Sequence, residues 1–318
     1  MSRVLRLTNG NDTFVQGLNA NNVGIEIIAL RGNDSISLNR SDDLGGRNIV
    51  DAGGGNDTVE SFREDGSFIE LSSGNDVYVG RGFGSFSSER ADSIFGGTGL
   101  DTMAFETFKS DYFGGGGNDT FFSVGWQNGI YGGSGIDTVS YEPRVDNSTL
   151  GSSGVTINLA TQIVNTGTFR QEVLSSIENA VGSARGDVIS GSSGANKLTG
   201  GGGLDVLTGG GGADHFVYVR TSDARVFSDF ADQVTDFSRT QRDKIDLSAI
   251  DARMAVNGNQ AFNFIASSEF SNVKGQLRFE ANTPNQMLVQ GDVNGDGRAD
   301  FQFLVDGLSS MIRGDFIL

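Results

Sequence analysis

The chain has no cysteine, only two prolines (Pro143 and Pro284) and a single histidine, His215, in 318 residues. Without cysteine there is no disulfide framework and no thiolate chemistry. Two prolines exclude collagen and a proline-rich linker. Basic residues are also scarce: 23 Lys and Arg stand against 40 Asp and Glu, a net charge of −17. That balance disfavours nucleic acid and anionic membrane as partners and favours cations. No stretch approaches 18 apolar residues, so no membrane span is expected. The N-terminal MSRVLRLTNGNDTF lacks the apolar core of a signal peptide. Taken alone, these absences point to the cytoplasm.

What is abundant is glycine, at 48 residues, together with 23 phenylalanines. That pairing argues for ordered turns over a packed core and against disorder. The glycines are periodic. GSARGDVIS (182–190), GSSGANKLT (191–199), GGGGLDVLT (200–208) and GGGGADHFV (209–217) are four tandem nonapeptides. Asp187, Asn196, Asp205 and Asp214 hold the sixth position, and Ile189, Leu198, Leu207 and Phe216 the eighth. A second block, GGTGLD (96–101), GGGGND (114–119) and GGSGID (132–137), spaces Asp101, Asp119 and Asp137 by 18 residues. The nonamers between them are degenerate, yet Ile94, Tyr112 and Ile130 keep the apolar eighth position. Residues 1–86 hold a looser version around Asp12, Asp34, Asp57 and Asp76, in which Ile27, Val50 and Ile69 lie nine residues before Ile36, Val59 and Tyr78.

These residue types suit one geometry. Glycines allow φ > 0 in a tight turn and let carbonyl oxygens approach an ion. Aspartate supplies a hard oxygen ligand, appropriate to calcium. The short strand after it points one apolar side chain inward. Two nonamers make one coil, residues 18 apart stack, and calcium bridges neighbouring coils. The expected fold is all-β: a right-handed parallel β-roll or β-helix with calcium between coils, followed by a strand-rich C-terminal cap.

The nonapeptides resemble the RTX, or hemolysin-type, family of secreted bacterial proteins, with consensus G-G-x-G-x-D-x-U-x. In that family calcium takes the sixth-position aspartate and carbonyls of the turn. Transferred by position, the resemblance implies ligands at Asp101, Asp119, Asp137, Asp187, Asp205 and Asp214. It also implies carbonyls of Gly96, Thr98, Gly114, Gly116, Gly132, Ser134, Gly200, Gly202, Gly209 and Gly211. Asn196 is neutral and implies a weaker site. Ser110 and Asn128 stand at degenerate sixth positions, with Asp92 and Asp146 able to close the ends of that side. Asp12, Asp34, Asp57 and Asp76 complete the set of expected metal residues. The segment 154–191 resembles a connector between repeat blocks. ADHFVYV (213–219), DQVTDFSRTQRDKIDLSAID (232–251), NQAFNFI (259–265), GDVNGDGRADFQFLV (291–305) and DFIL (315–318) resemble the serralysin C-terminal domain. That likeness implies a further calcium at Asp236 and Asp243. The DFIL end is similar to the family's uncleaved export signal. This reverses the cytoplasmic reading: the resemblance implies a secreted chain, exported by a type I machinery without an N-terminal signal peptide, that folds on extracellular calcium.

The expected organisation is 1–86 irregular coils with insertions, 87–149 coils of 18 residues, 150–181 connector strands, 182–217 tandem nonapeptides and 218–318 the cap with export signal. Repeats begin close to Met1, which argues against a missing N-terminal catalytic domain. GDVNGDGRAD places Asp292, Asn294, Asp296, Gly297 and Asp300 at EF-hand-like positions, but Phe303 stands where glutamate belongs, so a hairpin turn is the better reading. His215 faces outward by alternation, and HExxH is absent, so protease chemistry does not transfer. A catalytic β-helix face would draw on Arg63, Arg81, Arg90, Lys109 and Tyr112, but no arrangement stands out. Phe113, Phe121, Phe122, Trp126 and Tyr131 form an aromatic stripe that either binds sugar or packs the core, with core preferred for Phe121. The preferred function is a non-enzymatic surface, adhesion or matrix protein. The alternatives are a polysaccharide-binding or lyase/epimerase-like β-helix, and an export module cut from a larger hydrolase or toxin.

Overall fold

The computed structural model describes residues 3–16, 24–38, 47–62, 66–81, 91–144, 154–167, 170–226, 231–253 and 257–318. Among them regular structure is almost wholly short β-strand, with two 3-10 turns, Thr221–Ala224 and Arg313–Asp315. The chain divides into two units, residues 1–144 with 162–177, and residues 145–161 with 178–318.

In the first unit, strands alternate between two parallel sheets. One stacks Arg3–Arg6, Ile25–Ile28, Ile49–Asp51, Phe68–Glu70, Ser93–Thr98, Asp111–Gly116 and Gly129–Ser134. The other stacks Thr13–Val15, Ser35–Leu38, Thr58–Ser61, Val77–Gly80, Thr102–Phe105, Thr120–Ser123 and Thr138–Ser140. The unit is therefore a β-solenoid of parallel coils, as the repeat register predicts. Register pairs align Ile27, Val50, Ile69, Ile94, Tyr112 and Ile130 in one inward column. Phe14, Ile36, Val59, Tyr78, Met103, Phe121 and Val139 form the other. All but Phe14 are essentially inaccessible to solvent. Each such side chain stabilises the coil stack by roughly 1.5–3 kcal/mol. One coil alone buries neither column. Unequal repeat spacing in residues 1–86 leaves this register intact. Gln171–Ser175 adds a parallel strand to Gly129–Ser134 and an antiparallel hairpin with Ile163–Asn165.

The second unit repeats the scheme. One stack runs Thr156–Asn158, Val188–Ser190, Val206–Thr208, Asp232–Val234 and Phe301–Asp306. The other runs Asn179–Val181, Lys197–Thr199, His215–Val217, Lys244–Asp246 and Phe316–Ile317. An antiparallel meander of Gln276–Thr283, Gln286–Asp292 and Phe301–Asp306 completes it. GDVNGDGRAD is the hairpin loop of this meander. Asp292 accepts the Gly295 and Gly297 N–H groups, and Asp300 those of Val293 and Asn294.

Candidate metal centre

The sixth-position residues stack into columns at the coil corners. In the first unit the column is Asp12, Asp34, Asp57, Asp76, Asp101, Asp119, Asp137. From Asp34 onward the Oδ1 of each accepts the backbone N–H of the preceding member, at 2.7–2.9 Å. From Asp34 onward each is at least 98% buried. Each carboxylate thus links two coils through one oxygen. The second oxygen of Asp34, Asp57, Asp76, Asp101 and Asp119 is buried with no hydrogen-bond donor. A buried unpaired carboxylate oxygen is costly and needs a cation or a proton.

The glycine at the first turn position shows what lies opposite. A Cβ on Gly96 would lie 2.4 Å from Asp101 Oδ2 and 2.5 Å from the Gly114 carbonyl oxygen of the next coil. On Gly114 it would lie 2.2 Å from Asp119 Oδ2 and 2.6 Å from the Gly132 carbonyl. On Gly132 it would lie 2.4 Å from Asp137 Oδ2 and 2.0 Å from the Ser176 carbonyl. Carboxylate and carbonyl oxygens therefore converge over bare glycine, a donor set of hard oxygens that fits calcium. No group of three or more His, Cys, Asp or Glu converges among the described residues. A cation there would draw on neutral oxygens besides the carboxylate, and the carbonyls of Thr98, Gly116 and Ser134 stand at the third position of the same turns.

The second unit has two shorter columns. Asp187, Asp205 and Asp232 are linked N–H to Oδ1 at 2.8 and 3.0 Å. Asn196, Asp214 and Asp243 are linked in the same way at 2.8 and 3.0 Å. A Cβ on Gly200 would lie 2.2 Å from Asp205 Oδ2, and on Gly209 2.5 Å from Asp214 Oδ2; both oxygens lack donors. Gly202 and Gly211 stand at the third positions of these turns. Asp187 differs: its Oδ2 accepts the Ser183 N–H at 2.5 Å and lies 3.1 Å from the Ser183 hydroxyl. The Asn196 Oδ1 accepts the Ser192 N–H and hydroxyl at 2.7 and 3.2 Å. Asp236 accepts the Gly209 and Gly210 N–H groups, and Asp243 the Ser238 N–H.

Burial governs the charge of these groups. Desolvation pushes Asp205 up to about 8, with Asp232 the next cause. It raises Asp76 and Asp214 to about 7 and Asp57 to about 6, against partial relief from the inter-coil hydrogen bonds. Asp101 and Asp119 are raised for the same reason.

Two site residues escape the sequence reading. Asp232, raised to about 7 mainly by burial, ends the Asp187 column with a donor-free Oδ2. Its signal is Asp232-Gln233-Val234, a D-x-U triplet without the preceding glycines. Glu172 is the other. The opposite corner of the first unit carries Asn48, Ser67, Asp92, Ser110 and Asn128, linked by Ser67 Oγ, Asp92 Oδ1, Ser110 Oγ and Asn128 Oδ1, each accepting the N–H of the member before it. Glu172 continues this column and is wholly buried. It accepts bonds from Ser123 Oγ, Asn128 Nδ2 and, at 2.6 Å, Tyr141 OH. Ser and Asn do there, without charge, what Asp does on the other corner. Asp146 lies outside the described residues, as do Arg63 and Arg90.

The aromatic stripe separates. Phe121 is core. Phe95, Phe113 and Tyr131 form an outward ladder with ring centroids 4.6 Å apart and interplanar angles of 3° and 9°, so neighbouring rings cover each other's faces. Trp126 packs on Phe108 and under the Arg170 guanidinium. His215 is half-buried on an outward strand position. No helix among the described residues is long and apolar enough to cross a membrane.

Comparison with curated proteins finds no match. The family described as Peptidase M10 serralysin C terminal matches residues 9–318. Coils, corner columns and sequence agree in that assignment: the chain belongs to the serralysin C-terminal family, whose members carry RTX-type repeats.

Proposed function

We propose that this chain is a secreted, calcium-binding RTX-type repeat protein whose folding is driven by extracellular calcium, and that it acts as a non-enzymatic surface, adhesion or matrix protein. The supporting observation is the row of donor-free Asp Oδ2 atoms facing carbonyl oxygens across bare glycine, as at Gly96 and Gly114. Bound there, calcium supplies the positive charge that stacked carboxylates lack. The protein's own part is to hold one oxygen of each acid in an inter-coil hydrogen bond and aim the other into the turn. Where calcium is scarce, the acids of adjacent coils repel one another, and metal binding free energy is folding free energy. The five-zone organisation from 1–86 to 218–318 and export by a type I machinery belong to the same proposal. Family membership supports both, and extracellular polysaccharide or cell surface is the class of partner to assay. The test is circular dichroism during calcium titration of the metal-stripped chain. A cooperative gain of β signal is expected, and an unchanged spectrum in chelator sinks the reading.

A further inference from the structure

The turns differ in their first two residues, and the difference falls where the donor geometry changes. In the first unit the register places the first positions Leu7, Ala29, Ala52, Leu71, Gly96, Gly114 and Gly132 in one stack. Ala29, Ala52 and Leu71 are wholly buried, so their side chains point into the coil where the later turns have only glycine. At Gly96 and Gly114 the converging oxygens stand 2.2–2.6 Å from the Cβ position. No carbon can occupy that point with oxygens so close. Around Ala29, Ala52 and Leu71 the carboxylate and carbonyl must therefore stand back, and a calcium needing oxygens at roughly 2.3–2.6 Å loses them.

A second device closes other turns from within. In three turns a Ser or Thr at the second position donates N–H and hydroxyl to the sixth residue, whereas Ser72 turns its hydroxyl to Asp51 and leaves Asp76 Oδ2 without a donor. Thr8 does so to Asp12 Oδ2 at 2.8 and 2.7 Å, Ser183 to Asp187, and Ser192 to Asn196. Those oxygens already have donors. The N-terminal turns are also joined by a neutral ladder at the fifth position. Oδ1 of Asn11, Asn33 and Asn56 accepts the N–H of Asn33, Asn56 and Asn75 at 2.8–2.9 Å. Asn75 continues it to the Leu100 N–H.

We infer that calcium loads only the turns that open with two glycines, those of Asp101, Asp119, Asp137, Asp205 and Asp214, and that the turns of Asp12, Asp34, Asp57, Asp76, Asp187 and Asn196 take none. Within the first unit, the strands from Ile25–Ile28 to Val77–Gly80 then form a calcium-independent platform for the loaded turns of Asp101, Asp119 and Asp137. This rests on the proposed calcium reading and divides it.

The test is bound calcium per full-length chain by equilibrium dialysis, with hydrogen exchange read by mass spectrometry. Asp57→Asn and Asp187→Asn are expected to leave the count unchanged, because asparagine keeps the accepting Oδ1. Asp119→Asn and Asp214→Asn are each expected to lose one ion. In the unsubstituted chain, chelator should release protection over residues 94–140 and 200–217 while residues 25–81 stay protected. Loss of an ion from Asp57→Asn, or simultaneous loss of protection over 25–81 and 94–140, overturns the inference and leaves the calcium reading standing. An unchanged count in all four variants overturns the calcium reading itself.

Discussion

Gly114→Ala probes the candidate site most directly. The new methyl would lie 2.2 Å from Asp119 Oδ2 and 2.6 Å from the Gly132 carbonyl, so both oxygens must move. Overpacking of this kind costs about 1–3 kcal/mol regardless of metal. The larger signature is in the calcium dependence. A site that binds only the folded chain adds about 1.4 kcal/mol of stability per tenfold rise in calcium above its Kd. Losing one site lowers the slope of unfolding free energy against log calcium by that amount. Urea unfolding followed by circular dichroism at several calcium concentrations gives both quantities. Gly116→Ala is the control, because its Cβ meets nothing nearer than Ser134 Oγ at 3.3 Å. It should keep the full slope. If Gly114→Ala keeps the unsubstituted slope, the convergence of oxygens over Gly114 is not a metal site.

Other outcomes follow from the same geometry. Folded pKa values of Asp205 and Asp214, about 8 and 7, lie above the ordinary aspartate value, so the metal-free fold takes up protons. Its stability is greatest in acid and falls as pH rises from ~4 through those values, whereas calcium must displace the protons. Acidification from pH ~8 to ~6 should therefore weaken calcium binding at Asp205 and Asp214, measured by calorimetric titration at each pH. Glu172→Leu removes the acceptor for Ser123, Asn128 and Tyr141, and should cost ~3–5 kcal/mol in urea unfolding without changing bound calcium. Arg239→Ala leaves buried Asp315 without its bidentate partner at 2.7 and 2.6 Å, and should lower stability by ~1–3 kcal/mol in urea unfolding.

The sequence by itself determined the coil. Apolar residues two after each acid, and nine before, are local pattern, and a parallel stack is the arrangement that buries them all; Ile27 to Ile130 and Ile36 to Val139 align as the spacing requires. Unequal repeat spacing in residues 1–86 leaves this untouched: Ile27, Val50 and Ile69 still pair across it, as do Ile36 and Val59. Glycine and aspartate at fixed offsets also made the calcium chemistry legible. The tertiary structure decided which acids face an open cradle and which are already engaged. Asp187 and Asp205 both hold the sixth position of a nonapeptide, yet Ser183 donates to the Oδ2 of Asp187 while the Oδ2 of Asp205 has no donor. Glu172 enters its column from a strand 44 residues after Asn128, with no repeat to announce it. Asp232 joins Asp205 from 27 residues away. Periodicity encodes what each coil repeats. Donor satisfaction depends on what the neighbouring coil places opposite, and only the folded stack brings those groups together.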